Sequence, residues 1–173
     1  MPIPRKHSAG MLMQADRTSL AAGRPAEVQP AFTLRVLARN RSIRDSLAEV
    51  RLRLSKHALS EEELATIEVV LAEVMNNIAE HAYAWRRDGE MILFLRLAPD
   101  GLSISVSDEG IAMPDLQIPF GGSVDPAAPL SEMPEGGFGW LIIRQLARDV
   151  SYTRQDGVNH LSFRIDFGRT PAI

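Results

Sequence analysis

The sequence predicts an α+β domain, a two-layer sandwich of sheet and helices, and three observations predict it. Elements follow in the order strand, helix, helix, two strands, long loop, helix, two strands. The two later strand pairs are joined only by turn residues, Pro99-Asp100-Gly101 and Asp156-Gly157, which are hairpin signals. The helices are bunched rather than alternating one by one with strands, which disfavours a doubly wound parallel sheet. A chain of 173 residues, 45% of them hydrophobic, is long enough to bury a core as one such domain.

Residues 1–29 mix Pro2, Pro4, Gly10, Gly23 and Pro25 with scattered charge and hold no sustained period. They read as a flexible N-terminal arm, or as a docking segment that orders on a partner. Arg5 and Lys6 are not followed by an apolar run of about seven residues, so no signal peptide is expected and the chain is expected to be cytoplasmic. The domain spans 30–168, followed by a short tail, 169–173. Phe32, Leu34 and Val36 alternate with Thr33 and Arg35, as in a half-buried strand. Ser42 is a candidate N-cap, and Ile43, Leu47, Val50 and Leu54 at spacings of three and four predict a helix over about 42–57. Arg41, Arg44, Arg51, Arg53 and Lys56 mark its outer face, a solvated face or a docking surface for an acidic partner.

Ser60-Glu61-Glu62-Glu63 is a capping box opening a second helix, whose stripe of Leu64, Ile67, Leu71, Val74 and Ile78 carries it to about Ala84. After Asp88-Gly89, strands are expected at 90–98 and 102–108. A last helix is expected at about 140–149, with strands near 150–155 and 159–167. The stretch 110–139 holds six of the twelve glycines and five of the eleven prolines. A connection that long inside a compact domain is usually a lid, a binding loop or disorder, and it reads here as a functional lid.

Composition excludes several chemistries. Net charge is −3, which argues against gripping a phosphate backbone, so no direct nucleic-acid contact is expected. No apolar run approaches the roughly 18 residues of a membrane span. There is no cysteine, hence no disulfide, thiolate metal site or cysteine nucleophile. Lys6 and Lys56 are the only lysines and neither lies in an apolar run that would favour a Schiff base. No Gly-Lys-Ser/Thr triplet exists, which removes the Walker-A loop.

Three segments could carry chemistry. On the second helix Glu73, Asn77 and His81 follow at i+4 steps and share one ridge beside the apolar stripe. A carboxylate and an amide one turn apart can take a proton and ligate Mg²⁺, or be an ordinary exposed pair. Strand 102–108 ends in Asp108-Glu109-Gly110; the acid can accept from an exocyclic amine and the glycine permits close approach, or the three form a plain turn. Gly136-Gly137-Phe138-Gly139 feeds into the apolar Trp140-Leu141-Ile142-Ile143, so free amides at a helix start could cradle phosphates, or the glycines merely break the chain.

Glu-x-x-x-Asn on a helix, Asp-x-Gly after a strand, a long lid and Gly-x-Gly opening a helix, in that order, resemble the GHKL (Bergerat-fold) ATP-binding family. The pattern is most similar to the bacterial anti-sigma-factor serine/threonine kinases of the partner-switching type. Glu73 to Tyr83 resembles the family's N-box, Gly136 to Trp140 its second glycine box, and Tyr152 to Leu161 its closing hairpin. The resemblance implies a mixed, mostly antiparallel sheet with helices on one face, and ATP with Mg²⁺ as cofactors. It implies Glu73 as general base, Asn77 as Mg²⁺ ligand, Asp108 as adenine anchor and Gly110 as the close-approach glycine. Gly137 and Gly139 would wrap the phosphates, with His81, Phe138, Trp140 and Leu141 also in the nucleotide site. One departure stands out: the family's second glycine of the Asp-x-Gly box is Ala112 here, followed by Met113-Pro114. The implied activity is phosphorylation of a STAS-type antagonist protein together with binding of a sigma factor, with pairing of two chains as a further expectation. The alternative is a catalytically silent nucleotide-binding module acting by protein contacts alone. A histidine-kinase reading lacks the phosphate-accepting helix, since His57 stands between two helices without that context.

Overall fold

A computed structural model describes residues 30–86, 88–119 and 138–168. The N-terminal arm, most of the expected lid, Gly137 and the C-terminal tail lie outside the described residues. Strand β1 is Ala31–Leu37, helix α1 Asn40–Leu54 and helix α2 Glu61–Asn77. A π-helical turn, Ile78–Ala82, extends α2; then come β2, Glu90–Ala98, and β3, Gly101–Asp108. Helix α3 is Phe138–Leu146, and the hairpin of β4, Arg148–Gln155, and β5, Val158–Asp166, closes the chain.

The five strands form one sheet in the order β1-β2-β3-β5-β4, and every pairing among the described residues is antiparallel. Period-2 alternation sorts its faces. Leu34, Val36, Leu93, Leu95, Ile104, Val106, Leu161 and Phe163 point inward and are buried with the helices. Thr33, Phe94, Ser105, Ser162 and Ser151 face each other across all five strands on the opposite side, which no described helix covers. The inner face is met by Ile43, Val50 and Leu54 of α1, Leu64, Ile67, Leu71 and Val74 of α2, and Ile143 of α3.

The capping box forms as expected: Glu63 N–H donates to Ser60 Oγ at 3.1 Å, and Ser60 N–H donates to Glu63 Oε2 at 2.6 Å. Ser42 does not cap α1. The helix starts at Asn40 with Arg39 before it and no side-chain cap, and Ser42 Oγ instead accepts from Arg39 Nε at 3.0 Å. The arginines of α1 are partly spoken for within the domain. Arg51 pairs with Glu61 and with Glu68 at 3.2 Å, tying α1 to α2, while Arg53 pairs with Glu49 and lies over the Phe32 ring. Helix α3 ends earlier than expected because the chain is already pairing as β4 at Arg148, with a register shift before Ser151 and Asp149 in the left-handed region at φ 52°.

Candidate active site

Two cavities adjoin along the last turns of α2. The first, about 430 Å³, is walled by Val74, Ile78, Met113, Trp140 and Leu161 and carries polar atoms from Asn77, Asp108 and Asn159. The second, about 400 Å³, is lined by Asn40, Glu73, Asn76, Glu80, Trp85, Phe138 and Gly139. Asn77 and His81 line both, so they form the common wall. An apolar chamber with a few convergent polar groups is the ordinary form of a small-molecule site.

Glu73 and Asn77 lie one turn apart on α2, both half-buried, and α3 opens directly against them. A Cβ on Gly139 would stand 2.6 Å from Glu73 Oε2 and 3.3 Å from Asn77 Nδ2, so the first turn of α3 lies directly against both side-chain ends. That turn carries amides without partners inside the helix and the positive end of its dipole. Asn77 Nδ2 is itself buried without a hydrogen-bond partner, and such atoms in folded proteins are usually waiting for one. Its amide also offers an oxygen, a donor suited to a hard cation. Among the described residues no group of three or more His, Asp or Glu could hold a metal ion by itself. Asn77 could give a divalent cation one oxygen ligand, as such ions commonly take their others from phosphate oxygens and water.

His81 lines the second cavity with Glu73 and Asn77, although the helix changes period before it. The π-helical turn breaks the i+4 progression: Tyr83 N–H reaches back five residues to Ile78 O at 3.1 Å. His81 is exposed, while Tyr83 turns inward, donating its hydroxyl to Glu90 O at 2.7 Å and accepting from Glu109 N–H at 2.9 Å.

Asp108 ends β3 on the floor of the first cavity, only 6% exposed. Gly110 N–H and Asn159 Nδ2 both donate to its Oδ1 at 2.8 Å. Burial pushes its carboxyl above the usual carboxylate range, and the hydrogen bonds from Asn159 and Gly110 pull partly back. Gly110 packs against the end of the helix that carries Asn77. The space beside it is taken by Ala82, whose Cβ and carbonyl oxygen a Gly110 side chain would meet at 2.6 Å, so its close approach is to the end of α2 and it does not line the first cavity. Leu141 lines neither cavity, and Phe138 lines only the second.

The sequence did not single out three residues that hold this floor together. Asn159 Nδ2 also donates to Ile111 O at 3.2 Å, and its Oδ1 accepts from Tyr152 Oη at 2.7 Å and from Arg154. Tyr152 Oη in turn accepts from Met113 N–H at 3.1 Å, and Ile111 N–H donates to Ala82 O at 2.9 Å. The chain after Asp108 is thus fastened on one side to α2 and on the other to the closing hairpin. Asn159 was visible as a polar residue in an inward slot, in phase with Leu161, Phe163 and Ile165. A larger cleft, about 720 Å³, lies beyond Gly110, but Arg35 and Arg86 there pair with Glu90 and Asp88 at 3.2 and 2.8 Å.

Residues 36–165 match the model of the histidine kinase-like ATPase domain. The chain belongs to that family. Among curated proteins, this histidine kinase-like ATPase chain is 32% identical over 100 residues to the serine/threonine-protein kinase BtrW of Bordetella bronchiseptica, covering 56% of this chain and 66% of that one. It is 30% identical over 105 residues to the serine-protein kinase RsbW of Oceanobacillus iheyensis, covering 60% and 66%. To RsbW of Bacillus cereus it is 28% identical over 103 residues, covering 58% and 62%. The chain thus spans just under two thirds of the length of these relatives.

Proposed function

We propose that this chain is an ATP-dependent serine/threonine protein kinase. In this reading it phosphorylates a STAS-type antagonist protein and binds and inhibits a sigma factor in a partner-switching pathway. The observation that carries it is the convergence of the Glu73 carboxylate, the orphaned Asn77 amide and the start of α3 beside a cavity floored by Asp108. Relatives named as serine-protein kinases support the same reading.

Asp108, held by Asn159 with both described hydrogen bonds on Oδ1, accepts from the exocyclic amine of adenine within apolar walls. The first turn of α3, with Gly139, Trp140 and the preceding Gly137, meets the phosphates, and His81 stands at their side. Asn77 is the protein ligand of Mg²⁺, which when bound neutralises phosphate charge. Glu73 takes the proton of the attacking hydroxyl. Phosphoryl transfer asks the protein mainly for positioning and charge, which these residues supply.

Glu73→Gln leaves the helix and both cavities in place, so nucleotide binding and melting temperature stay near wild type. Transfer from radiolabelled ATP to the antagonist falls by roughly 10²–10⁴-fold, the range for loss of a general base. Transfer at the wild-type rate rejects Glu73 as the base. Ala112 lines the first cavity where the family has a glycine, and this favours a second reading, a silent nucleotide-binding module. That module is protected by nucleotide in the same assay and transfers nothing.

A further inference from the structure

We propose that Trp85 and Phe138 seat the hydroxyl-bearing segment of the protein acceptor, and that they select a segment with a large apolar side chain beside that hydroxyl. This rests on the phosphotransfer reading above. Of the two adjoining cavities, only the second contains Glu73. With the nucleoside in the first and the phosphates reaching Gly139, the rest of the second is left for the other reactant. A hydroxyl that gives its proton to Glu73 enters through it.

Two aromatic rings line that cavity. Trp85 is 42% exposed and Phe138 44% exposed, although both side chains are large and apolar. Single exposed apolar residues need no explanation; two that line one cavity together with a half-buried carboxylate call for one. Trp85 is also held in place by its backbone. Its N–H donates to Ala79 O at 2.8 Å, and Ala84 and Trp85 are both in the left-handed region, at φ 46° and 58°. Non-glycine residues adopt that region at a cost, and a ring this exposed offsets little of it by packing. The turn that follows the π-helical segment therefore presents the ring to that cavity. In the same lining, the amides of Asn40 and Asn76 and the carboxylate of Glu80 offer donors and acceptors to the backbone of an extended segment. An acidic neighbour of the acceptor would meet both Glu73 and Glu80, whereas an apolar one meets two rings.

In the step served by this seat, the acceptor hydroxyl oxygen bonds to the γ-phosphorus of ATP. The bond from that phosphorus to the β,γ-bridging oxygen breaks, ADP leaves with its electron pair, and the hydroxyl proton passes to the Glu73 carboxylate. The test is steady-state transfer at saturating Mg-ATP with the antagonist varied, on the full chain and on Trp85→Ala and Trp85→Phe. Trp85→Ala is expected to raise KM for the antagonist by roughly tenfold or more, as loss of a central aromatic anchor does, with kcat little changed. Trp85→Phe is expected to restore most of the loss, and protection by Mg-ATP against heating to match wild type in both. If wild type transfers phosphate and Trp85→Ala keeps its KM, the acceptor seat is wrong while the kinase reading stands. If wild type binds Mg-ATP yet transfers nothing, the kinase reading falls and takes the seat with it.

Discussion

Asp108 shows how burying one carboxylate costs the fold stability. In the unfolded chain it titrates in the ordinary carboxylate range; in the folded chain burial raises it. Between those two values the folded state holds a proton that the unfolded state has lost. Stability therefore falls as pH rises through that window, and above it the fold carries the full cost of a buried anion. Asp108→Asn removes that cost and keeps an oxygen to accept from Gly110 N–H and Asn159. At neutral pH its melting temperature without nucleotide is expected to be at least that of wild type, with a flatter pH profile and with protection by Mg-ATP lost. A clear drop in melting temperature together with retained ATP protection contradicts this account of Asp108. At this scale Glu73 and Asn77 were legible because both lie within one regular helix. The π-helical turn that follows Asn77 was not, because no residue between Ile78 and Ala82 announces it. The part played by Asn159 depends on contacts across 51 positions of chain, which spacing along the sequence does not encode.

Elements succeed or fail on how local their signals are. The capping box of α2 lies within four consecutive residues and formed as read. The start of α1 was misplaced because Ser42 has a plausible cap chemistry yet is used by Arg39, and the end of α3 because the edge strand β4 absorbs an irregularity at Asp149 and starts sooner. The joint between α2 and β3 gives the sharpest prediction here. Gly110 is pressed against the backbone carbonyl of Ala82, and backbone cannot step aside as a flexible side chain can. Gly110→Ala is expected to destabilise the domain by about 1–3 kcal/mol, the usual range for overpacking, read as a lower urea midpoint at unchanged m-value. A wild-type midpoint would mean that the joint yields without cost.

Among the described residues the molecule is an asymmetric sandwich, with the helices and both adjoining cavities on one face of the sheet and a Ser- and Thr-bearing face on the other. The two hairpins and the two-layer build were legible from turn residues and from the bunching of helices. The insertion of β5 between β3 and β4 was not, since only the β3–β5 register, Asp108 opposite Asn159, reveals it. That register brings the two polar residues of the floor together, so long-range pairing makes the site. The central claim is that the cavity floored by Asp108 takes ATP with its metal, and thermal unfolding with Mg-ATP or Mg-ADP tests it most directly. At ligand a hundredfold above its dissociation constant the native state is predicted to gain about 2.7 kcal/mol, seen as a rise in melting temperature that Asp108→Asn abolishes. An unchanged melting temperature at saturating Mg-ATP would contradict it.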